Sequence, residues 1–202
     1  MRQVSISSKK DKLLNYSDFE LIDRVLTGHP VFFEELVHRY KKSVYYLTYR
    51  MVHNREDALD LSQETFLKAY QGLRKFKKRS SFHTWLYKIA INLCINHLRR
   101  RGARQYIELE KTHSVEQPVV LEKLEREELQ VMVATIVDTL PEKQRAAVIL
   151  RIYHGLSHKE IAGILGCSVG TVKANYFHAI RNLRKVIASH HEFEAIIGNH
   201  EL

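Results

Sequence analysis

Acid is missing from one long stretch of this chain. Between Arg74 and Arg104 there is no Asp or Glu, against ten bases: Arg74, Lys75, Lys77, Lys78, Arg79, Lys88, Arg99, Arg100, Arg101 and Arg104. With no carboxylate nearby in sequence to neutralise them, these charges point to a polyanionic partner. Cysteine is scarce too. Cys94 and Cys167 are the only thiols, which excludes a disulfide framework and the Cys-x-x-Cys spacing of zinc and redox sites, so both are expected to be structural. Three prolines and eight glycines in 202 residues leave few helix breakers. No apolar run approaches the roughly 18 residues that span a bilayer. Residues 1–15 are polar and charged, without the apolar segment of a signal peptide, so a cytoplasmic chain with no membrane insertion is expected.

What is present agrees with the polyanion. The formal charge is +9 and the pI near 9.5, values that favour anionic polymers and are silent on fold. Phe76, Phe82, Trp85 and Tyr87 are interleaved with the bases, and aromatic faces among cations are what exposed nucleobases stack on. Trp85 is a separate case. It falls at helical spacing with Phe82, Leu86, Ile89 and Leu93, so a core role is favoured over a wedge between bases.

Apolar residues recur at helical spacing almost throughout, which predicts an all-α protein of two small helical domains joined by a flexible linker. A first helix is expected from Phe19 to Gly28, capped by Asp18. A second starts at Pro30, a third covers Arg55 to Leu73, and a fourth runs from Ser81 to about Arg101 and stops at Gly102. These form a domain over residues 16–104, after a tail over 1–15. Seven acids against three bases between Gln105 and Glu128, with Pro118 among them, mark a linker over residues 105–124. Helical pattern resumes near Leu121 and breaks at Pro141. A second domain is expected over 125–189, with a tail over 190–202.

That second domain carries the sharpest local motif. Ser157-His158-Lys159-Glu160 reads as a capping box opening a short helix, Gly166 allows the left-handed turn that stops it, and Ser168 caps the next helix. The stripe Val169, Val172, Tyr176, Ile180, Leu183 and Ile187 is expected to be buried. Helix, short turn, helix is a DNA-reading unit. Its exposed residues on this register are Gly170, Thr171, Lys173, Ala174, Phe177, His178 and Arg181, with Arg184 and Lys185 nearer phosphate. A plain helical hairpin would look similar, but six bases against one acid from Arg151 to Lys185 favour DNA.

In the first domain, Asp57, Asp60, Glu64, Lys68 and Gln71 share one helical face, opposite Leu59, Phe66, Tyr70 and Leu73. Such faces are usually just solvated. An acidic stripe in so basic a chain instead suits docking on a basic partner surface.

Four segments together resemble the extracytoplasmic-function sigma factors of bacterial RNA polymerase, in the sigma-70 family. They are Asp57-Ala58-Leu59-Asp60-Leu61-Ser62-Gln63-Glu64-Thr65-Phe66, Ser81-Phe82-His83-Thr84-Trp85-Leu86-Tyr87-Lys88-Ile89-Ala90-Ile91-Asn92, Leu140-Pro141-Glu142-Lys143-Gln144-Arg145 and Gly155-Leu156-Ser157-His158-Lys159-Glu160-Ile161-Ala162. The resemblance implies docking on the polymerase beta-prime clamp through Asp57, Asp60, Gln63 and Glu64. It implies capture of the opened minus-10 strand by the loop Phe76, Lys77, Lys78, Arg79, Ser80, Ser81 and Phe82, where Lys77, Lys78 and Arg79 replace a common Arg-Gly-acidic sequence. Lys88, Asn92, Arg99, Arg100 and Arg101 would hold duplex and opened strand, and Ser168 would join the recognition helix at the minus-35 element. Promoter DNA, both duplex and single-stranded, core polymerase and an anti-sigma factor are the implied partners.

Two other classes compete. A stand-alone helix-turn-helix regulator accounts for residues 157–185 but leaves the acidic stripe and the aromatic-basic stretch without a role. A metal-dependent nuclease would need Glu34, Glu35, Asp57, Asp60 or Glu64 with His53 or His83, and no spacing there fixes a metal. No cofactor, metal or catalytic residue is expected.

Overall fold

The computed structural model describes residues 16–109, 137 and 139–189. The chain divides into two compact units, Met1–Cys94 and Ile95–Leu202. Among the described residues there are seven α-helices and no strand: α1 Asp18–Leu26, α2 Val31–Val52, α3 Arg55–Gly72, α4 Phe82–Leu109, α5 Glu142–Ile152, α6 His158–Leu165 and α7 Val169–Ser189, with a 3₁₀ turn at Leu73–Lys75. None of these helices is long and apolar enough to cross a membrane.

The all-α expectation is met, with local corrections. Ser17, not Asp18, caps α1: its hydroxyl accepts from the Glu20 amide while the Glu20 carboxylate accepts from the Ser17 amide at 2.7 Å. The Ser17 hydroxyl, which donates to the Glu20 carboxylate at 2.7 Å, and then the Ser17 amide hold that carboxyl below its ordinary value. Asp18 is thereby released to accept from the Tyr40 hydroxyl and from Arg39 at 3.1 Å, tying α1 to α2. Burial, and then the bond to Asp18, push the Tyr40 hydroxyl well above the usual tyrosine range.

The larger correction concerns α4. It continues through Gly102 to Leu109, so the predicted linker begins inside a helix. An internal glycine costs about 1 kcal/mol against alanine, and a helix already nucleated extends past it one bond per residue. The rest of that linker, most of the helix expected between Leu121 and Leu140, and both tails lie outside the described residues.

In the first unit, Leu21 and Ile22 of α1, Leu36, Val44, Leu47 and Met51 of α2, and Leu86, Ala90 and Ile91 of α4 are fully buried. Each large apolar side chain of this kind contributes about 1.5–3 kcal/mol of burial. Asn54 caps α3 by accepting from the Asp57 amide at 2.9 Å, and the Thr48 hydroxyl donates to the Ala58 carbonyl at 2.9 Å, joining α2 to α3. Cys94 lies inside the core, where burial pushes its thiol up to about 12.

In the second unit, α5 and α6 both pack on α7 around Ala146, Ile149, Leu150, Ile161, Ile164, Val172 and Ala179. The capping box at Ser157 is complete, and Gly166 stops α6 at φ +64, as expected of a left-handed glycine. Arg151, counted among the charges for DNA, donates to the Leu156 carbonyl at 2.9 Å and closes the turn between α5 and α6. Val169 of the predicted buried stripe is exposed, and Ala179 takes an inward place instead. The Ile187 side chain lies outside what is described.

Candidate nucleic-acid interface

On α3, Asp60, Gln63 and Glu64 are exposed and Asp57 is half-exposed. Glu64 lies 3.3 Å from Lys68, an i,i+4 pair between two half-exposed side chains that contributes little stability. The apolar side of this helix departs from the expected one. Phe66 and Leu73 are buried, but Leu59 and Tyr70 are 50% and 45% exposed. Ala58, Leu61, Ser62, Thr65, Phe66 and Ala69 form the inner face, and at 100° per residue Leu67 stands opposite its centre, 56% exposed. The outward face therefore combines carboxylates with apolar Leu59 and Leu67. Exposed leucines flanked by acids make a mixed apolar and acidic face, and a search for polar residues alone does not find it.

The loop between the 3₁₀ turn and α4 divides by residue type. Phe76 and Phe82, expected to present their rings to bases, are 8% and 1% exposed. Phe76 packs on Trp85 at 5.0 Å and on Phe82 at 6.1 Å between ring centroids, and Phe19 of α1 stacks on Phe76 at 6.2 Å. Tyr87 is buried as well. These rings anchor the two ends of the loop, so they are not stacking platforms in this conformation. Apolar area removed from water outweighs any preference of a ring for a cationic neighbour. Trp85 is half-buried, with its indole in van der Waals range of a Cβ built on Gly72. Lys77, Lys78, Arg79, Ser80 and Ser81 are exposed between the anchors. Ser81 has a local duty: its hydroxyl accepts from the Thr84 amide at 3.1 Å and caps α4. Lys78 has φ +54, and its ammonium lies 2.5 Å from Asp23 of α1.

On α4, Lys88 and Asn92 are exposed one turn apart, and Arg99, Arg100 and Arg101 lie further along the helix, all three exposed, with Arg99 3.8 Å from the Glu142 carboxylate. On α7, every residue expected to face DNA is exposed: Ser168 at the cap, then Gly170, Thr171, Lys173, Ala174, Phe177, His178 and Arg181. Ser168 accepts from the Thr171 amide at 3.0 Å, so its hydroxyl is held by the cap. Phe177 is 63% exposed, an aromatic ring kept in water on an otherwise cationic helix. Phe177 and its neighbours Tyr176, Ile180, Arg181, Arg184 and Lys185 line an open hollow of about 610 Å³.

The chain is similar to known proteins over most of its length. The family model for sigma-70 region 2 matches residues 36–104, and that for sigma-70 region 4 matches residues 130–183. The chain is 36% identical over 185 residues to the RNA polymerase sigma-H factor of Pseudomonas aeruginosa, covering 87% of this chain and 96% of that protein. It is 37% identical over 173 residues to the ECF RNA polymerase sigma-E factor of Escherichia coli K12, covering 81% of this chain and 90% of that one. Among solved structures it is similar in fold to the sigma factor RpoE of Bartonella quintana, solved with the anti-sigma factor NepR, at TM-score 0.61 and 24% identity over 77% of this chain and 96% of that one. CnrH, solved with the cytosolic domain of CnrY, gives TM-score 0.64 at 24% identity over 86% of this chain and 98% of that one. The chain belongs to the extracytoplasmic-function sigma factors of the sigma-70 family.

Proposed function

We infer that this chain binds RNA polymerase core, directs it to specific promoters and helps open the minus-10 element, with no catalytic step of its own. Membership of a family that is not an enzyme family supports this, and the work belongs in the cytoplasm beside the polymerase. A stand-alone regulator is not favoured, since the region 2 match spans residues 36–104 and such a regulator gives that unit nothing to do.

Exposure supports the residue roles proposed here. Asp57, Asp60, Gln63 and Glu64 meet the basic clamp, with Leu59 and Leu67 as apolar anchors among them. Lys77, Arg79 and Ser80 meet the opened strand, and Lys88, Asn92 and Arg99 to Arg101 track its backbone. On α7, Lys173 and Arg181 reach phosphate or base edges in the major groove, while Phe177 offers an apolar contact of the kind that suits a thymine methyl group.

Opening is a balance of stacking energies. Each base-pair step costs about 1.4 kcal/mol. Holding one freed base returns roughly 1–3 kcal/mol. With Phe76 and Phe82 buried, capture falls to the polar loop residues and the half-exposed face of Trp85. Capture shifts an equilibrium, and the polymerase performs the chemistry. An anti-sigma factor that covers the same surfaces is proposed as the regulator, on the likeness to the RpoE and CnrH folds.

The observation that carries this reading is the exposure of every expected α7 contact together with an acid-and-leucine face on α3. The test is transcription from a promoter-bearing template by core polymerase with and without the chain. Transcripts that depend on the chain are expected. Failure to associate with core, or activity of the chain alone on DNA, would overturn it.

A further inference from the structure

Lys78 is held in a way its neighbours are not. Its backbone has φ +54, a region that glycine enters freely and lysine enters at a cost. Its ammonium lies 2.5 Å from the Asp23 carboxylate, 55 residues away on α1, and 5.7 Å from the centroid of the Phe19 ring. Phe19 in turn stacks on Phe76, the ring that anchors the start of the loop. One side chain therefore ties the exposed middle of the loop to the same α1 surface that holds its buried end. Both partners are well exposed, so the ion pair alone stabilises little. Its weight comes from acting with the ring contact on a segment that has no helical hydrogen bonds of its own.

We propose that Lys78 is a positioning residue, a clasp to Asp23 and Phe19 that fixes the loop for the opened strand, leaving Lys77 and Arg79 to meet phosphate. The proposal rests on the reading that this loop receives the minus-10 strand. It assigns Asp23, an acid beside a cationic loop, a favourable role where simple charge counting gives it a repulsive one. The two views predict opposite signs. If Lys78 were only a cation for phosphate, removing the Asp23 charge would free it and strengthen DNA binding. If Lys78 is a clasp, removing that charge loosens the loop and weakens capture.

The experiment uses holoenzyme assembled from the full chain and core polymerase, on a promoter duplex selected by that holoenzyme from a random-sequence library. Permanganate reactivity of unpaired thymines reports the open fraction. Asp23→Asn and Lys78→Gly are each expected to lower the opening equilibrium about fivefold, about 1 kcal/mol at 1.4 kcal/mol per tenfold. The double variant is expected to lose no more than either single one, because both break the same contact. Core affinity and melting temperature should stay at wild-type values, which a general loss of structure would not allow. Unchanged or increased opening with Asp23→Asn, or additive losses in the double variant, would overturn the clasp. A wild-type holoenzyme that selects and opens no promoter defeats the sigma reading itself, and the clasp with it.

Discussion

The two units carry the cations proposed to meet nucleic acid in different ways. In the second unit the proposed contacts sit on one face of a regular helix, and even an aromatic ring, Phe177, stays in water. In the first unit the cations sit on a short loop whose flanking rings, Phe76 and Phe82, have turned inward. A rigid helix of fixed diameter suits the constant shape of a duplex groove. A loop anchored at both ends suits an unstacked strand, whose backbone follows no fixed path. The difference teaches that an aromatic beside lysines is no guide to base stacking until its burial is known.

That contrast is open to attack, most forcefully through its aromatic residues. Phe76→Ala should destabilise the first unit by about 3–5 kcal/mol in urea unfolding, the cost of emptying a packed aromatic site. Phe177→Ala should change stability by less than about 0.5 kcal/mol, as exposed substitutions do, while weakening minus-35 binding. Equal stability losses for the two would erase the distinction between a buried anchor and an exposed reader. A smaller effect is expected on α3. Reversing charge with Asp60→Lys and Glu64→Lys together should weaken core association at least about thirtyfold in a pull-down titration, the scale of an interface hot spot, and leave isolated minus-35 binding unchanged. On α7, Lys173→Ala and Arg181→Ala should each flatten the salt dependence of duplex binding by roughly one unit of log-log slope for each phosphate no longer neutralised. An unchanged slope would mean that these side chains do not reach the backbone.

The smallest effect is on pH dependence, and it belongs to the first unit. Burial raises the Tyr40 and Tyr87 hydroxyls above their ordinary value in the folded state. A raised value means the native state holds the proton longer. Their contribution is therefore complete below the ordinary tyrosine value near pH 10 and is lost as pH climbs beyond it. Tyr40→Phe should lower stability at pH 8, because Asp18 is deprived of a donor, and should flatten the decline above pH 10 in urea midpoints. A decline as steep as that of wild type would show that Tyr40 does not control it.

Legibility in the sequence depends on periodicity. The α6 and α7 pair is legible down to its capping serines, because Ser157, Glu160, Gly166 and Ser168 each do one local job that residue type fixes. The exposed side of α7 follows from its register. On α3 the same reasoning slips in phase: it puts Leu59 and Tyr70 inside because they are apolar and passes over Leu67, although all three are exposed. A leucine left on the surface looks in sequence like one reserved for the core. Loop residues carry no period at all, so neither the burial of Phe76 nor the bond from Lys78 to Asp23 is written in residue spacing. Gly102 misleads for a related reason. Glycine permits a stop, but only a competing turn or an absence of supporting packing makes the chain take it, and α4 continues to Leu109.

The most direct test places a photo-reactive amino acid at Arg79 or at Phe177 in turn and irradiates the open holoenzyme–promoter complex. The account predicts that position 79 cross-links to the unpaired strand near minus-10 and position 177 to the intact duplex upstream. Cross-linking of position 79 to paired DNA, or of position 177 to the opened strand, would contradict it.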